Sequence, residues 1–174
     1  TADEEKKGWT LQAPQVRNRI VSAGFDAMKK SRPAALFSPQ TAERITIGNL
    51  EDHFDFVKQA DWIVEVIVEN LDIKRQLMAR LDAARQPHTI VTTNTSGIPI
   101  AAIAAQTSQA FREHFLGTHF FNPPRYLKLL EVIPSQDTLP EVVETMKRFG
   151  ENILGKGVVV CKDRPNFIAN RLGT

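Results

Sequence analysis

Residues 61–96 read DWIVEVIVENLDIKRQLMARLDAARQPHTIVTTNTS, and their pattern decides the fold class. The first ten residues form an apolar run with a polar end, which predicts a buried strand. The next sixteen predict an amphipathic helix with Leu77, Met78 and Leu81 facing inward. The last eight, from Thr89, predict a second buried strand. This succession is typical of a strand–helix–strand unit with a parallel pair of strands.

The rest of the chain continues the alternation. The patterns FLGTHFF, LKLLEVIPS and KGVVVCKD predict strands that begin at Phe115, Leu127 and Lys156. LPEVVETMKRFGENIL predicts a helix from Leu139, and shorter helices are expected in IPIAAIAAQ, SQAFREHF and PNFIANRL. Strands that alternate with helices predict an α/β domain with a mostly parallel sheet. The direction of the last strands is left open by these patterns.

The N-terminal third carries a weaker signal. Its opening, TADEEKKGWTLQAP, is polar and aperiodic and predicts a loop. A helix is expected from Pro14 to Lys30, ended by Arg32-Pro33. Further along, we expect a short helix capped by Ser38, a short strand ITIGNL from Ile45, and one or two helical turns from Asp52 to Gln59.

Composition limits the classes of function. A chain of 174 residues with 42% hydrophobic and 24% charged residues fits one globular domain. A net charge of +2 gives no indication of nucleic-acid or membrane binding, and no apolar run reaches the about 18 residues of a membrane span. The single Cys161 excludes an internal disulfide. The four histidines lack metal-ligand spacing, and neither GxGxxG nor GK[ST] occurs. A cytoplasmic location is expected.

Three successive strands end in polar residues, and this is the strongest physical indication of a site. In parallel sheets ligands bind at the carboxyl ends of the strands. Each residue there also has a simpler explanation. Ser96 could cap a helix at residues 98–105, and Lys74 could be solvated. Glu69 could cap the helix that begins at Leu71 or only favour its N-terminus. Cys161 is expected to be a small packed residue. The strand-end residues are Glu69, Asn70, Asn94, Ser96, His119 and Asn122.

His119 and Glu131 form a candidate acid–base pair. Glu131 interrupts the apolar run LLEVI, where a carboxylate needs a partner or becomes protonated. If the two strands pair as a hairpin about Arg125, His119 faces Glu131. A carboxylate on one imidazole nitrogen fixes the tautomer and makes the other nitrogen a better base. A purely structural role for His119 stays open at this point.

Four segments resemble the 3-hydroxyacyl-coenzyme A dehydrogenase family, in its long bacterial form. They are ENLDIK at residues 69–74, NTSGIPI at 94–100, GTHFFNPPRYLKLLEV at 117–132 and CKDRPNFIANRL at 161–172. The resemblance extends from about Gly8 onward. It implies a Rossmann-like sheet, NAD as cofactor and oxidation of 3-hydroxyacyl-CoA to 3-ketoacyl-CoA in fatty-acid β-oxidation.

The resemblance also implies roles for individual residues. His119 corresponds to the general base and Glu131 to its orienting carboxylate. Ser96 corresponds to a serine that contacts substrate and nicotinamide, and Asn170 to an asparagine that completes the active site. The positions matched near NAD are Glu69, Lys74, Asn94, Ser96 and Asn122.

The resemblance further predicts that parts of the family's domain lie outside this sequence. The first strand, its glycine-rich turn, the next helix and the second strand would precede Thr1, which would leave an apolar sheet edge exposed. Residues 1–168 would form a partial NAD-binding domain, and residues 169–174 the start of a linker to a helical domain. The whole protein is expected to be a homodimer. The alternative is a non-catalytic binding or assembly module that keeps the family's surface.

The missing glycine-rich turn leads to a first prediction. In this fold that turn and the helix after it hold the pyrophosphate. The isolated 174-residue chain should therefore bind NAD no more tightly than about millimolar, or about −4 kcal/mol, in a calorimetric titration. A micromolar constant would show that other residues build the phosphate site.

Overall fold

A computed structural model describes residues 6–173 of the chain. The chain divides into two compact units, one that ends at Phe54 and one that begins at Asp55. Among the described residues, no helix combines the length and hydropathy that crossing a bilayer would require. The α-helices described here are α1 (Pro14–Arg17), α2 (Arg19–Lys30), α3 (Leu71–Ala84), α4 (Ile100–Ile103), α5 (Gln109–Glu113), α6 (Pro140–Asn152) and α7 (Ala169–Leu172).

The first unit contains the long helix that its sequence predicts, with a break. Asn18 leaves helical geometry at φ −98° and ψ 4°, so α1 and α2 are separate. The predicted helix after Ser38 is a 3-10 helix, Pro39–Arg44, and Ser38 does not cap it through a side-chain bond. A second 3-10 helix, Phe54–Gln59, begins at the last residue of the first unit and lies in the range predicted for helical turns.

The strand predicted from Ile45 is wrong. Residues 45–49 have no regular secondary structure, and a turn follows. The Asn49 side chain accepts hydrogen bonds from the amides of Glu51 and Asp52, at 3.0 and 2.8 Å, and fixes that turn. An apolar alternation becomes a strand only where a neighbouring strand supplies a hydrogen-bonding ladder, which the sequence pattern does not show.

The second unit is built on a five-stranded sheet in the order β1-β2-β3-β4-β5. The first three strands are parallel, β3 and β4 are antiparallel, and β4 and β5 are parallel. The mostly parallel α/β sheet is therefore confirmed, with one antiparallel pair. Its strands are β1 (Trp62–Glu65), β2 (Ile90–Thr93), β3 (Phe115–Phe120), β4 (Leu129–Pro134) and β5 (Gly157–Val160).

Helices cover the sheet, and α3 does so with the face that the sequence predicts. Leu77, Met78 and Leu81 of α3 are buried. On α6, Val142 and Met146 join a core cluster with Leu116, Leu130 and Val132 from the sheet. Burial of such side chains contributes about 1.5–3 kcal/mol each, which is the main stabilisation of these layers.

The first predicted strand and the last predicted helix are both shorter in the structure than their sequence patterns indicate. The strand expected from Asp61 to Asn70 ends at Glu65, and Val64, Val66 and Val68 are exposed along it. These residues form an exposed apolar border in and after β1. The helix expected in PNFIANRL begins only at Ala169, since Asn166 and Phe167 have positive φ angles of 65° and 45°.

A close contact between α6 and the sheet provides a stability test. A Cβ added at Gly150 would lie 2.7 Å from Val158 Cγ2 and 3.1 Å from Leu130 Cδ2. Gly150→Ala should therefore lower the free energy of unfolding by about 1–3 kcal/mol, despite alanine's higher helix propensity. Urea denaturation measures the change.

The matched control is Gly24→Ala in the middle of α2, where an added Cβ meets nothing within 4 Å. This variant should gain up to about 1 kcal/mol. Equal stabilisation by both substitutions would contradict the packing described at Gly150.

Candidate active site

The carboxyl ends of β1, β2 and β3 meet at one edge of the sheet. There the Asn94 side-chain oxygen accepts the Phe120 amide at 2.9 Å and joins the ends of β2 and β3. The Glu69 carboxylate accepts the Ser96 amide at 3.1 Å and joins the segments that follow β1 and β2. The predicted convergence of polar residues is thus present in the structure.

His119 and Glu131 face each other across the antiparallel pair. They are register partners, and His119 Nδ1 lies 2.8 Å from Glu131 Oε2. Both residues are buried. The second oxygen of Glu131 accepts the amides of Ile168 and Ala169 at 3.0 and 2.8 Å. The predicted hairpin pairing is correct, and Glu131 has a second set of partners at the start of α7.

The surroundings of Glu131 keep it ionised. Burial raises the pKa of this carboxyl, but the hydrogen bond from His119 and the amides of Ala169 and Ile168 outweigh it, so the pKa is lowered. An ionised carboxylate only accepts hydrogen bonds, so Nδ1 of His119 must carry a proton. Nε2 is then the basic nitrogen of the neutral ring, and it has no hydrogen-bond partner among the described residues. The contact with Glu131 therefore fixes both the orientation of the ring and its tautomer.

Two aromatic rings hold the imidazole. The centroid of Phe121 lies 4.5 Å from that of His119, and the centroid of Phe167 lies 5.6 Å away in an edge-on arrangement. Phe167 is buried and adopts a left-handed backbone conformation. The turn before α7 therefore contributes both an aromatic wall for His119 and the amides that bind Glu131.

Glu69 organises the loop after β2. Its Oε1 accepts the Thr95 hydroxyl and the amides of Ser96 and Gly97, each amide at 3.1 Å. Burial raises the pKa of Glu69, but these hydrogen bonds and the nearby Lys74 charge outweigh it, so the pKa is lowered.

The simpler explanations of Glu69 and Ser96 as caps are wrong. Asn70, not Glu69, caps α3, with its side-chain oxygen 3.1 Å from the amides of Asp72 and Ile73. The first turn of α4 is capped by Asp163, which accepts the amides of Ile100 and Ala101 at 2.8 and 2.9 Å. Asp163 is distant in sequence, so only the tertiary structure reveals this cap. The Ser96 hydroxyl has no hydrogen-bond partner among the residues described.

Lys74 is not a solvated helix residue. It is 1% exposed, and its ammonium lies 2.8 Å from Glu65 in a buried ion pair. Sequence reasoning missed Glu65. The available signal was its position inside the apolar run WIVEVIV, the same argument that identified Glu131.

Two other predicted residues, Asn122 and Asn170, lie next to this cluster along the chain. Asn122 is exposed and precedes a cis peptide bond to Pro123. Asn170 is half-buried on α7, next to the Ala169 amide that binds Glu131. Neither side chain hydrogen-bonds to another predicted site residue within residues 6–173.

Cys161 and the histidines do not indicate other chemistry. Cys161 is buried, and burial together with Glu131 raises the pKa of its thiol to about 11, so the thiol stays protonated. This agrees with a packed residue. The described part of the chain has no group of three His, Cys, Asp or Glu residues arranged to hold a metal ion.

A mostly parallel sheet flanked by helices, with polar side chains at its strand ends, is a Rossmann-like fold, and its structural neighbours are dehydrogenases. The structure matches that of the 3-hydroxybutyryl-CoA dehydrogenase from Escherichia coli with a TM-score of 0.73 and 31% identity, over 92% of this chain and 34% of that chain. The model of the family described as "3-hydroxyacyl-CoA dehydrogenase, NAD binding domain" matches residues 9–164. The chain belongs to this family, whose cofactor is NAD.

Two relatives extend the comparison. A Bacillus subtilis protein named "Probable 3-hydroxyacyl-CoA dehydrogenase" is 52% identical over 174 residues, which is all of this chain and 22% of the relative. A Rickettsia felis protein, named as a fatty acid oxidation complex trifunctional enzyme, is 39% identical over 90% of this chain and 22% of its own length. The chain spans less than half the length of the curated relatives that it matches.

The Glu131 carboxylate predicts a pH-dependent stability. Its pKa in the folded protein is below the ordinary 4.5, so its stabilisation is complete above about 4.5 and is lost as the pH falls through the folded pKa. Glu131→Gln should lower the unfolding free energy by about 2 kcal/mol at pH 7, and this gap should narrow below pH 4.5. Urea denaturation between pH 7 and pH 3 measures it.

Glu144→Gln, on the exposed side of α6, is the matched control and should show no such gap. A gap for Glu131→Gln that stays constant from neutral to acid pH would contradict a stabilising charge at this position.

Proposed function

We propose that this chain is the NAD-binding part of an enzyme that oxidises 3-hydroxyacyl-CoA to 3-ketoacyl-CoA. The observation that carries the proposal is the buried His119–Glu131 contact of 2.8 Å, which leaves Nε2 of His119 as a base without a protein partner among the described residues. His119 lies on β3, and the carboxyl end of β3 lies at the polar edge of the sheet. Family membership supplies the substrate class that fits this base.

The residues present fit the nicotinamide end of the cofactor site. Ser96 offers a hydroxyl without a described partner, beside the half-exposed Glu69 carboxylate. Asn94 fixes the adjoining strand ends, and Asn122 follows β3. Bound there, the cofactor would supply the hydride acceptor for the substrate carbon. Within the proposal, the residues that would hold this end of it are Glu69, Lys74, Asn94, Ser96 and Asn122.

His119 removes the proton of the substrate hydroxyl. Nε2 accepts that proton, and the ring becomes a cation that the Glu131 carboxylate stabilises through Nδ1. Phe121 and Phe167 contact the ring and restrict its movement. Asn170, at the start of α7, is placed by the Glu131–Ala169 hydrogen bond, and we assign it to the substrate side of the site.

The whole protein is proposed to act in fatty-acid β-oxidation as a cytoplasmic homodimer. The name of the Rickettsia felis relative supports the pathway. In this proposal residues 1–168 form the NAD-binding domain, and residues 169–174 begin a linker to a helical domain that completes the acyl site. No nucleic acid or membrane takes part.

Substitution of the base tests the mechanism in the full-length protein. General-base catalysis is worth about 10²–10⁴-fold, so His119→Gln should lower kcat by that factor while NAD binding changes little. Glu131→Gln should lose much of the same factor. The double variant should lose no more than His119→Gln alone, because the two residues act as a unit. Steady-state oxidation of a 3-hydroxyacyl-CoA and calorimetry with NAD provide the measurements.

His88→Gln is the control, since His88 is exposed and outside the site, and it should keep full turnover. Full turnover in Glu131→Gln together with its loss in His119→Gln would show that His119 works without Glu131.

A further inference from the structure

The segment that connects β5 to α7, residues 162–168, is largely exposed and is fixed to the second unit by specific contacts. Where it leaves the sheet, the Cys161 amide donates to a β4 carbonyl at 2.8 Å. Where it enters α7, two amides donate to the Glu131 carboxylate. Asp163 attaches the segment at a further point between these ends, and its partners are in α4.

Asp163 holds the first turn of α4. Its Oδ1 accepts the Ile100 amide at 2.8 Å, and its Oδ2 accepts the Ala101 amide at 2.9 Å. Pro99, the residue before the helix, makes no side-chain cap. A helix of four residues is too short to be stable alone, so tertiary contacts of this kind decide where α4 lies.

This helix lies against the strand that carries the base. Ile100 is fully buried, and a Cβ added at Gly117 of β3 would lie only 2.8 Å from Ile100 Cδ1. Gly117 and His119 are two residues apart on one strand, so both positions are on the same face of the sheet. The loop before α4, residues 95–99, carries Ser96. The place of this Ser96 loop relative to His119 therefore depends on how Ile100 is held.

We propose that Asp163 is a positioning residue that keeps the Ser96 loop and the start of α7 in fixed places around His119. The inference rests on the function proposed above, in which Ser96 and Asn170 belong to the site. Asp163 binds the helix that follows the Ser96 loop, and its own segment leads to the amides that bind Glu131. One side chain therefore links the two segments that flank the base.

A role as a helix cap alone predicts a different result. A helix cap is usually the residue just before the helix, whereas Asp163 lies 63 residues beyond Ile100. If Asp163 only capped α4, its loss would affect only the α4 amides that it binds. If it also holds the connecting segment, the amides of Ile168 and Ala169 lose protection as well, although their acceptor is Glu131.

The first test is Asp163→Ala in the full-length protein without NAD. The amides of Ile168 and Ala169 should exchange with deuterium at least about tenfold faster than in the wild type, because their segment has lost one attachment. The Val91 amide, bonded to the His114 carbonyl, should keep its rate.

The same variant should lower kcat for a 3-hydroxyacyl-CoA by about 10²-fold while KM changes little, because the reaction geometry is disturbed and not substrate binding. The matched control is Asp82→Ala. Asp82 also binds a distant helix start, since it accepts the Ser108 amide at 2.6 Å and the Ser108 hydroxyl at 2.7 Å before α5. This control should lose stability but keep wild-type kcat and wild-type exchange at Ile168 and Ala169.

Asp163→Asn keeps the test decisive if Asp163→Ala does not fold. The asparagine side chain has the same shape but one acceptor oxygen, so one of the two α4 amides loses its partner. Faster exchange at Ile168 and Ala169 and a lower kcat should persist in this variant, in smaller measure. A folded Asp163→Asn protein with wild-type exchange and wild-type kcat would overturn the proposal.

Two further results separate this inference from its basis. If Asp163→Ala speeds exchange only at the α4 amides and keeps kcat, Asp163 is a helix cap and the positioning role is wrong. The exchange measurement needs no dehydrogenase activity. An inactive wild-type protein would therefore refute the proposed function, while exchange at Ile168 and Ala169 would still decide whether Asp163 holds the connecting segment.

Discussion

The Glu131 carboxylate is the group on which the site depends. It lies inside β4, where an unpaired charge would lose its hydration at a cost of several kcal/mol. The protein offsets this cost with the His119 imidazole on one oxygen and two backbone amides on the other. The partners of this one buried charge are thereby held in place. They are the His119 ring, whose tautomer is fixed, and the turn that leads into α7.

The change of strand direction at β4 makes this contact possible. Parallel pairing brings the ends of β1, β2 and β3 to one edge. The antiparallel hairpin adds the contact between His119 and Glu131, because these two residues are equidistant from its turn. The base thus stands at the meeting point of the parallel strand ends and the antiparallel pair.

A second buried carboxylate, Glu65, is satisfied in a different way. Its partners are an ammonium, a hydroxyl and one amide. Both carboxylates interrupt apolar strands, and both carry contacts from the interior to residues at the site. Glu131 holds His119 on β3, and Glu65 holds Lys74 behind the loop after β2. Without these partners, a charged carboxylate would be unfavourable between the hydrophobic layers.

The sequence by itself determined the alternation of strands and helices, the apolar face of α3, and the polar residues that follow the strands. It also predicted the His119–Glu131 pair, because a carboxylate in LLEVI needs a partner and the hairpin centre at Arg125 supplies one. These predictions hold because periodicity and desolvation act locally along the chain.

Only the tertiary structure decided the rest. Residues 45–49 pair with no strand among residues 6–173, so their alternation forms no strand. Lys74 is buried because Glu65 lies opposite it, and Asp163 caps α4 from 63 residues away. The amides of Ile168 and Ala169 reach Glu131 only through the left-handed turn at Asn166 and Phe167. Each of these depends on residues that folding brings together from distant positions, and a pattern along one stretch of chain contains no record of such partners.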